Sequence, residues 1–270
     1  MKNVLIFIAC LLIAVPAQTQ EMETVNSDSI YSESPLNPNL IKFNVLTSLG
    51  GKFSFEYERI INKKFSAGLA ISFRPEKHLP FKSTIMDWVG DEEINSFLDD
   101  IKISSTAIIP EIRYYISKQG NGHGFYIAPY LKFSKLKYSM PYTYDVSIEY
   151  NGQLIYDREE TIRLNGDMST FTVGLSAGIN FKLSKNLFLD WRILGPGLGT
   201  TKGNVGGQLS LNEDEQRGLR EELDAFNESL ADFPGSFKID YTVNSEGADI
   251  LLKKSPWASL RTGLSLAYRF

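Results

Sequence analysis

Few residues in this chain could carry out chemistry. The sequence holds two histidines, His78 and His123, and a single cysteine, Cys10. Residues 174–178 (GLSAG) match the G-x-S-x-G motif of serine hydrolases, which works only where the serine lies on a sharp turn from a strand into a helix. Here small residues alternate regularly with apolar ones through the motif, so the small face of a strand explains it without catalysis.

His78 has a carboxylate, Glu76, close to it in the sequence. A barrel enzyme that modifies lipids or cleaves peptides needs a histidine placed beside a serine or an acidic residue. No serine on a neighbouring predicted strand stands out, so we interpret His78 as a surface histidine. The acidic residues at 213–222 lack the fixed spacing of a calcium loop, and a solvated helix face explains them. The sequence therefore predicts no catalytic residue, no cofactor and no metal site.

The composition argues against several classes of protein. The net charge is −4 and the sequence pI is about 5.4, with no polybasic tail, so nucleic acid is not an expected partner. The mean hydropathy of −0.16 argues against a membrane protein built from helices. With 270 residues, the chain has room for one large domain or for a barrel with long loops.

Residues 1–20 have the pattern of a secretory signal peptide that is cleaved near Gln20. Lys2 supplies the basic start, and the apolar run at 4–15 is too short for a membrane-spanning helix, which needs about 20 residues. Cys10 lies inside the run, so the mature chain would hold no cysteine, which excludes disulfides and thiol catalysis. An uncleaved anchor and a lipoprotein acylated at Cys10 are the alternatives.

Residues 21–38 are acidic and rich in serine, and we expect a flexible periplasmic segment there. The rest of the chain, 39–270, alternates with the period of a strand, whose successive side chains point to opposite faces. Eight segments have one apolar face and one face of small, polar or charged residues, and they lie at 40–49, 52–61, 64–74, 104–117, 124–140, 168–183, 187–199 and 257–270. Pro110 should weaken pairing in the fourth segment, and the Gly-rich stretch at 195–199 should end or kink the seventh.

Short and long gaps alternate between these segments. The long gaps are 75–103, 141–167 and 200–256, and the one exception is a Gly-Gly hairpin at 50–51. An even number of strands joined by short periplasmic turns and long outer loops is the pattern of a membrane barrel. Strands can cross lipid only as a closed ring, because an unpaired backbone group there costs several kcal/mol. The sequence therefore predicts an all-β fold, an eight-stranded antiparallel transmembrane β-barrel. A soluble barrel, the alternative, would place polar residues outside and an apolar core inside.

The predicted inward face carries charges of both signs. They are Lys42, Glu56, Glu58, Arg74, Glu111, Arg113, Lys132, Lys182, Asp190, Arg192, Arg261 and Arg269. Buried charges persist only when they are paired and hydrogen-bonded. We therefore predict a network of ion pairs that fills the lumen, in which Glu56, Glu111 and Asp190 bond Arg113, Arg192 or Arg261. Tyr57, Tyr114, Tyr268, Trp191 and Trp257 are candidates for interfacial aromatic belts.

Two of the long gaps have apolar residues at helical spacing, at 84–100 and 212–233. Asn212 or Asp214 could cap the second helix, and Pro234 stops it. We expect both helices to pack as lids at the rim rather than to bind a partner.

The closing segment has a characteristic ending. Gly263 is followed by apolar residues at every second position, among them Leu266, Tyr268 and Phe270. This ending resembles the closing-strand signal of bacterial outer-membrane β-barrels. The resemblance implies that these four residues form an assembly signal, and that the barrel-assembly machinery and outer-membrane lipid are partners.

The strands, the gap pattern and the ending together resemble small bacterial outer-membrane barrels of the OmpA/OmpW-like, porin-type family, especially uncharacterised members from Bacteroidota. The resemblance covers about 40–270. It implies a non-enzymatic protein of the outer membrane with a structural role or an extracellular ligand at its loops. A narrow channel or hydrophobic-ligand conduit is one alternative, and a lipid-modifying enzyme centred on His78 is the other.

Overall fold

The computed structural model describes residues 37–78, 100–117, 120–150, 153–231 and 239–270. The predicted signal peptide, nearly all of the predicted flexible segment and the predicted helix at 84–100, apart from its last residue, lie outside the described residues. In the described part of the chain, no helix is long and apolar enough to cross a membrane.

The described residues form mainly strands. These are β1 (Asn39–Asn44), β2 (Phe53–Ile60), β3 (Phe65–His78), β4 (Lys102–Tyr115), β5 (Gly124–Tyr150), β6 (Gln153–Lys182), β7 (Leu187–Leu194), β8 (Pro196–Gln208), β9 (Ile239–Asn244), β10 (Gly247–Leu260) and β11 (Gly263–Arg269). The helices are α1 (Val45–Leu49) and α2 (Glu213–Ala231).

The sheet closes into an eight-stranded antiparallel β-barrel, which confirms the predicted fold class. Its order is β5-β4-β3-β2-β1-β11-β7-β6, and β5 pairs with β6 to complete the ring. The turns after β2, β4 and β6 are short and lie at one end of the barrel, together with the start of β1 and the end of β11. We call this the turn end, and the opposite end the extended end.

At two places in the ring, one strand forms the part of the wall near the turn end and a second strand continues it toward the extended end. β6 pairs first with β7, up to Ala177 opposite Leu194, and then with β8, from Gly174 opposite Gly197. β11 pairs with β7, and β10 pairs with β8 from Leu260 onward. β7 and β8 therefore form one wall strand that is interrupted at one glycine, as predicted for 195–199.

The first predicted strand is too long. β1 ends at Asn44, and residues 45–49 form the short helix α1 instead of continuing the strand. The Asn44 side chain accepts a hydrogen bond of 3.0 Å from the Thr47 amide, which is an N-cap that starts a helix. Five residues are too few for a strand period and a helix period to be told apart.

Two of the predicted long loops contain strand. β5 and β6 continue past the ends predicted for them and pair up to Tyr150 opposite Gln153, within the predicted gap at 141–167. In the predicted gap at 200–256, β8 runs on to Gln208, and β9 pairs with β10. Around 203–207 (GNVGG) the chain has almost no apolar side chains to alternate, which is why the pattern gave no strand.

The predicted helix at 212–233 is found as α2. Asn212 caps it, because its side-chain oxygen accepts from the amides of Asp214 and Glu215 at 3.0 and 2.9 Å. Leu223 of α2 packs against Leu211 and against β9 and β10 in a small core outside the barrel. The extended end therefore carries a small folded unit with its own core. It is formed by α2, β9 and the outer half of β10, and we call it the outer extension.

Gly199 is a position where the wall tolerates no side chain. A Cβ there would overlap the backbone oxygen of Phe171 on β6. We expect Gly199→Ala to lower the free energy of unfolding by roughly 1–3 kcal/mol, the cost of overpacking. Gly218 on α2 is the control, because a Cβ there meets nothing within 4 Å and alanine favours a helix. Urea unfolding followed by circular dichroism compares the two, and equal stability of both variants would contradict the close packing of β6 and β8.

Candidate functional site

A network of eight charged side chains fills the barrel on its turn-end side. All eight are less than 9% exposed, and they are Lys42, Glu56, Glu58, Glu111, Arg113, Asp190, Arg192 and Arg261. Four are positive and four are negative, so their formal charges sum to zero. The six residues named from the sequence as an ion-pair network all belong to it.

The strands bring these side chains together because each occupies an inward position of the alternation. Lys42 on β1 lies opposite Glu56 on β2, and Glu58 is the next inward residue of β2. Asp190 and Arg192 occupy successive inward positions of β7, which is separated from β1 by β11 in the ring. The network therefore joins strands that are not neighbours in the sheet.

Arg113 lies at the centre of the network. Its Nε donates to Glu111 at 2.7 Å, its Nη2 to Glu56 at 2.5 Å and its Nη1 to Asp190 at 2.5 Å. The guanidinium also stacks on the ring of Tyr126, 4.2 Å from the ring centroid. A planar guanidinium with five donors suits such a site, because it can bond several carboxylates at fixed angles.

Lys42 supplies the positive charge among three carboxylates. The carboxylates of Glu56, Glu58 and Asp190 lie within 4.8 Å of one another, a spacing that would suit a metal ion. The Lys42 ammonium contacts all three, at 3.1 Å from Glu56, at 2.5 Å from Asp190 and closely at Glu58. A divalent cation would have to displace this ammonium, so the cluster is a salt-bridge centre.

Glu111 joins the two remaining arginines. Arg192 Nη2 donates to both of its carboxylate oxygens at 2.8 Å, and Arg261 Nη1 donates to one of them at 2.9 Å. Arg261 also stacks on the ring of Tyr130, 4.5 Å from the centroid. This stacking brings Arg261, on β10–β11, across the lumen to β5.

Two tyrosines complete the hydrogen bonds of the carboxylates. Tyr115 donates to Glu58 at 2.6 Å and Tyr126 donates to Asp190 at 2.8 Å, and Ser66 donates to Glu58 at 2.5 Å. Sequence reasoning placed Lys42 and Glu58 on the inward face but did not identify them as members of the network, and it gave Tyr115 no role. The signal for Tyr115 was its odd-numbered position in β4, which it shares with the inward residues Glu111 and Arg113.

Other predicted inward charges have different surroundings. Lys182 is on the inward face, opposite the buried Phe188, but it lies at the last position of β6, where its side chain is exposed at the turn end rather than buried in the network. Arg269 lies at the turn end, where its Nη2 donates to the Asn121 carbonyl at 2.5 Å. Burial, with the positive charges of Arg269 and Lys182, lowers the pKa of His123 in the same turn. The β4–β5 turn thus folds against the barrel and closes its turn end.

The prediction that Trp257 belongs to an outer aromatic belt is wrong. Its indole nitrogen is buried and has no hydrogen-bond partner among the described residues. Trp257 has the same parity along β10 as the inward Arg261, so alternation alone places it inward. The other predicted belt residues fit better, since Tyr57, Trp191 and Tyr268 are exposed.

The remaining candidates for chemistry are far apart. Ser176 is fully buried within β6, near its turn-end part, rather than on a turn between a strand and a helix. His78 is the exposed last residue of β3, and its carbonyl accepts a hydrogen bond from Arg74. Ser176 and His78 are therefore not placed together as a catalytic pair.

The four residues of the predicted assembly signal lie along β11 and just past its end. Gly263 is buried, and a Cβ there would overlap the Asn44 side chain. Leu266, Tyr268 and Phe270 are each about half exposed on the outside of the barrel.

A chamber lies beyond the network toward the extended end. Its volume is about 710 Å³, within the usual range for ligand sites, and it is bounded by three consecutive residues from each of β3, β4, β5, β6 and β8. The inward side chains at this level are small: Ser72, Ala107, Ser134, Thr170 and Thr201. The lumen therefore has a filled, charged lower part and an open upper part at the level of small side chains.

Arg113→Met tests the network. The substitution leaves three carboxylates without their shared partner, and removing one member of a buried ion pair costs about 3–5 kcal/mol. Lys253→Met is the control, because the Lys253–Asp240 pair at 2.6 Å is more than half exposed and is expected to contribute at most about 1 kcal/mol. Urea unfolding of both variants measures the difference, and a loss below about 1 kcal/mol for Arg113→Met would contradict the pairing described here.

Comparisons with known proteins identify no relative. No family model, no curated protein and no solved structure matches the chain. A function for this protein therefore rests on its geometry and its charges.

Proposed function

We propose that this chain is a non-enzymatic outer-membrane β-barrel with a sealed lumen, which anchors an outer extension that binds a partner or reinforces the envelope. The observation that carries the proposal is the reversed polarity of the wall. Paired charges lie inside, and large apolar side chains lie outside on strands all around the ring. The outward set includes Ile41, Phe55, Leu69, Ile71, Ile108, Ile112, Phe125, Leu131, Phe133, Phe171, Val173, Leu175, Trp191, Leu266 and Tyr268.

Water is a poor solvent for such an exterior. Monomeric soluble proteins seldom expose a continuous apolar patch larger than a few hundred Å². Here exposed apolar residues recur at every second position along the strands, for example at Phe171 and Leu175 on β6. They occur on strands around the ring, including Leu266 on β11. Lipid would bury this surface, and the closed ring leaves few backbone groups unpaired within it.

Aromatic pairs near both ends of the wall support a membrane position. Phe65 and Tyr114 pack at 5.2 Å near the turn end, and Phe53 and Phe73 pack at 5.3 Å toward the extended end. The eight residue-to-residue steps from Phe65 to Phe73 span roughly 27 Å of strand, which a tilt of about 40° reduces to roughly 20 Å of height. Aromatic girdles flank the apolar band of membrane barrels at a similar separation.

The network argues for a closed lumen. An eight-stranded barrel has room inside for little more than side chains. At the level of Arg113 the described side chains from β1, β2, β4 and β7 meet across the lumen at hydrogen-bond distance. A hydrophobic conduit through the whole barrel would need an apolar lumen at this level, which the ion pairs do not provide.

Single cysteines test the location and the topology together. In a Cys10→Ser background, we expect a membrane-impermeant maleimide to label Asp214→Cys on α2 in intact cells. Lys185→Cys, in the exposed β6–β7 turn, should react only after the outer membrane is made permeable. Leu175→Cys should react only after denaturation, because lipid covers it. A soluble barrel would react readily at position 175, which is 52% exposed in the protein alone, and that result would overturn the proposal.

Planar-bilayer recording tests the sealed lumen. The unchanged protein should give no discrete conductance steps, because the paired side chains obstruct the lumen. The double variant Arg192→Ala, Arg261→Ala removes two of the side chains on Glu111 and should give measurable steps, whereas Lys253→Ala should behave like the unchanged protein. Steady conductance of the unchanged protein would favour the narrow channel over the sealed barrel.

A further inference from the structure

In the described part of the chain, the exposed side chains at the turn end carry charge of one sign. Six basic residues lie on or beside the turns, five of them exposed and one half-buried. We call them the turn-end cations, and they are Arg59, Lys63, Lys64, Lys182, Lys185 and Arg269. The sequence around these turns, at 59–66, 114–127, 181–189 and 265–270, contains no aspartate or glutamate. Acidic side chains therefore do not balance the positive charge of the turn end.

The acidic residues that come next along the strands are already neutralised. Glu58 on β2 and Asp190 on β7 are buried in the network, whose formal charges cancel. Among the ion pairs that the described residues form, none includes a turn-end cation. Counter-charge for these six residues therefore has to come from outside the described barrel.

Two exposed lysines toward the extended end differ in this respect. Lys253 on β10 pairs with Asp240 on β9 at 2.6 Å. Lys137 on β5 lies directly opposite Asp167 on β6. Each of these lysines has an acidic neighbour across the sheet, so charge of one sign is a feature of the turn end rather than of the whole outer surface.

The turn-end cations are spread around the mouth of the barrel. The β2–β3 turn carries two of them, and the β6–β7 turn carries Lys185. Arg269 lies at the end of β11, which stands between β1 and β7 in the ring. In the β4–β5 turn, burial and the positive charges of Arg269 and Lys182 lower the pKa of His123. The positive potential therefore extends across the whole end instead of arising from one turn.

Exposed apolar side chains border the turn-end cations. Arg59 follows the exposed Tyr57 on the outward face of β2. The Lys64 ammonium lies 5.8 Å from the centroid of the Tyr114 ring. Leu183 is exposed between the two cations of the β6–β7 turn. Basic side chains at the edge of an apolar band can lay their stems on apolar surface and keep their charges at the polar boundary of a membrane.

We propose that the turn end is a docking surface for anionic phospholipid, whose headgroup phosphates bind the turn-end cations. The inference rests on the proposed function, because the cations lie at headgroup depth only if the wall lies in lipid. A lipid leaflet meets both kinds of side chain at once, since acyl chains cover the apolar residues and phosphates bind the cations. A soluble anionic polymer would leave the bordering apolar side chains exposed to water. Each lysine or arginine close to an anionic leaflet strengthens the attraction up to about fivefold.

Spin-labelled lipids measure this preference directly. The full chain is reconstituted into phosphatidylcholine vesicles at low ionic strength, and electron paramagnetic resonance gives the fraction of labelled phosphatidylglycerol or phosphatidylcholine that the barrel immobilises. The unchanged protein should associate with phosphatidylglycerol about fivefold more strongly than with phosphatidylcholine. The double variant Lys64→Gln, Lys185→Gln should at least halve this ratio. The double variant Lys137→Gln, Lys253→Gln is the matched control, because it removes the same charge where acidic residues already lie opposite.

Ionic strength supplies a test that needs no variant. Exposed charges are screened beyond a Debye length, which is about 3 Å at 1 M salt. The preference of the unchanged protein for phosphatidylglycerol should therefore decline toward equality as salt is added. A preference that persists in full at high salt would contradict binding through exposed cations.

The outcomes separate this proposal from the proposed function. Immobilisation of neither lipid would contradict the position of the wall in a membrane. Equal association of the unchanged protein with both lipids would overturn the present proposal alone, and would leave the acidic segment at 21–38 or a soluble polymer as the partner of the cations. Equal loss of preference in the two double variants would also overturn it. All four substituted side chains are exposed, so the urea midpoints of the two variants should match that of the unchanged protein.

Discussion

The pairing of Arg113 is the interaction on which the barrel depends. A guanidinium that is fully buried cannot remain charged without partners, and here its partners come from β2, β4 and β7. A shift of one residue in the register of any of these strands would turn its carboxylate to the outside and its apolar residues to the lumen. The charge network therefore specifies the register of strands that do not touch one another in the sheet, which hydrophobic contacts on the outer surface alone would not do.

The sequence predicted the barrel well where the two faces of the wall meet different surroundings. The segments 52–61 and 168–183 were placed correctly, because apolar and small residues alternate through both of them. Prediction failed toward the extended end, where β9 and the outer halves of β5, β6 and β10 were not predicted as strands. In β9 the alternation is present but covers only six residues, and its buried residues Ile239 and Val243 pack against α2 instead of lying on the barrel wall. β1 failed for a local reason, since the Asn44 cap begins a helix before the alternation ends.

The sequence predicted which residues belong to the network better than it predicted which of them contact each other. Alternation places Glu56, Arg113 and Asp190 on the inward face, but it cannot say which of them meet, because contacts across the lumen depend on how far each strand is staggered in the ring. The role of Lys42 among three carboxylates depends on that stagger. Lys132 was likewise predicted on the inward face, but that it lies outside the network is visible only after the other charges have been paired.

The lumen divides into two layers with different charge and different side-chain size. In the lower layer, long side chains of opposite sign fill the space, and removing any one of them leaves a buried charge. In the upper layer, small serine, threonine and alanine side chains leave a chamber. Stability therefore depends on the lower layer, whereas the upper layer contains space that the described side chains do not fill. Because the lower layer and the β4–β5 turn obstruct the lumen, the described residues leave the chamber a route to solvent only at the extended end.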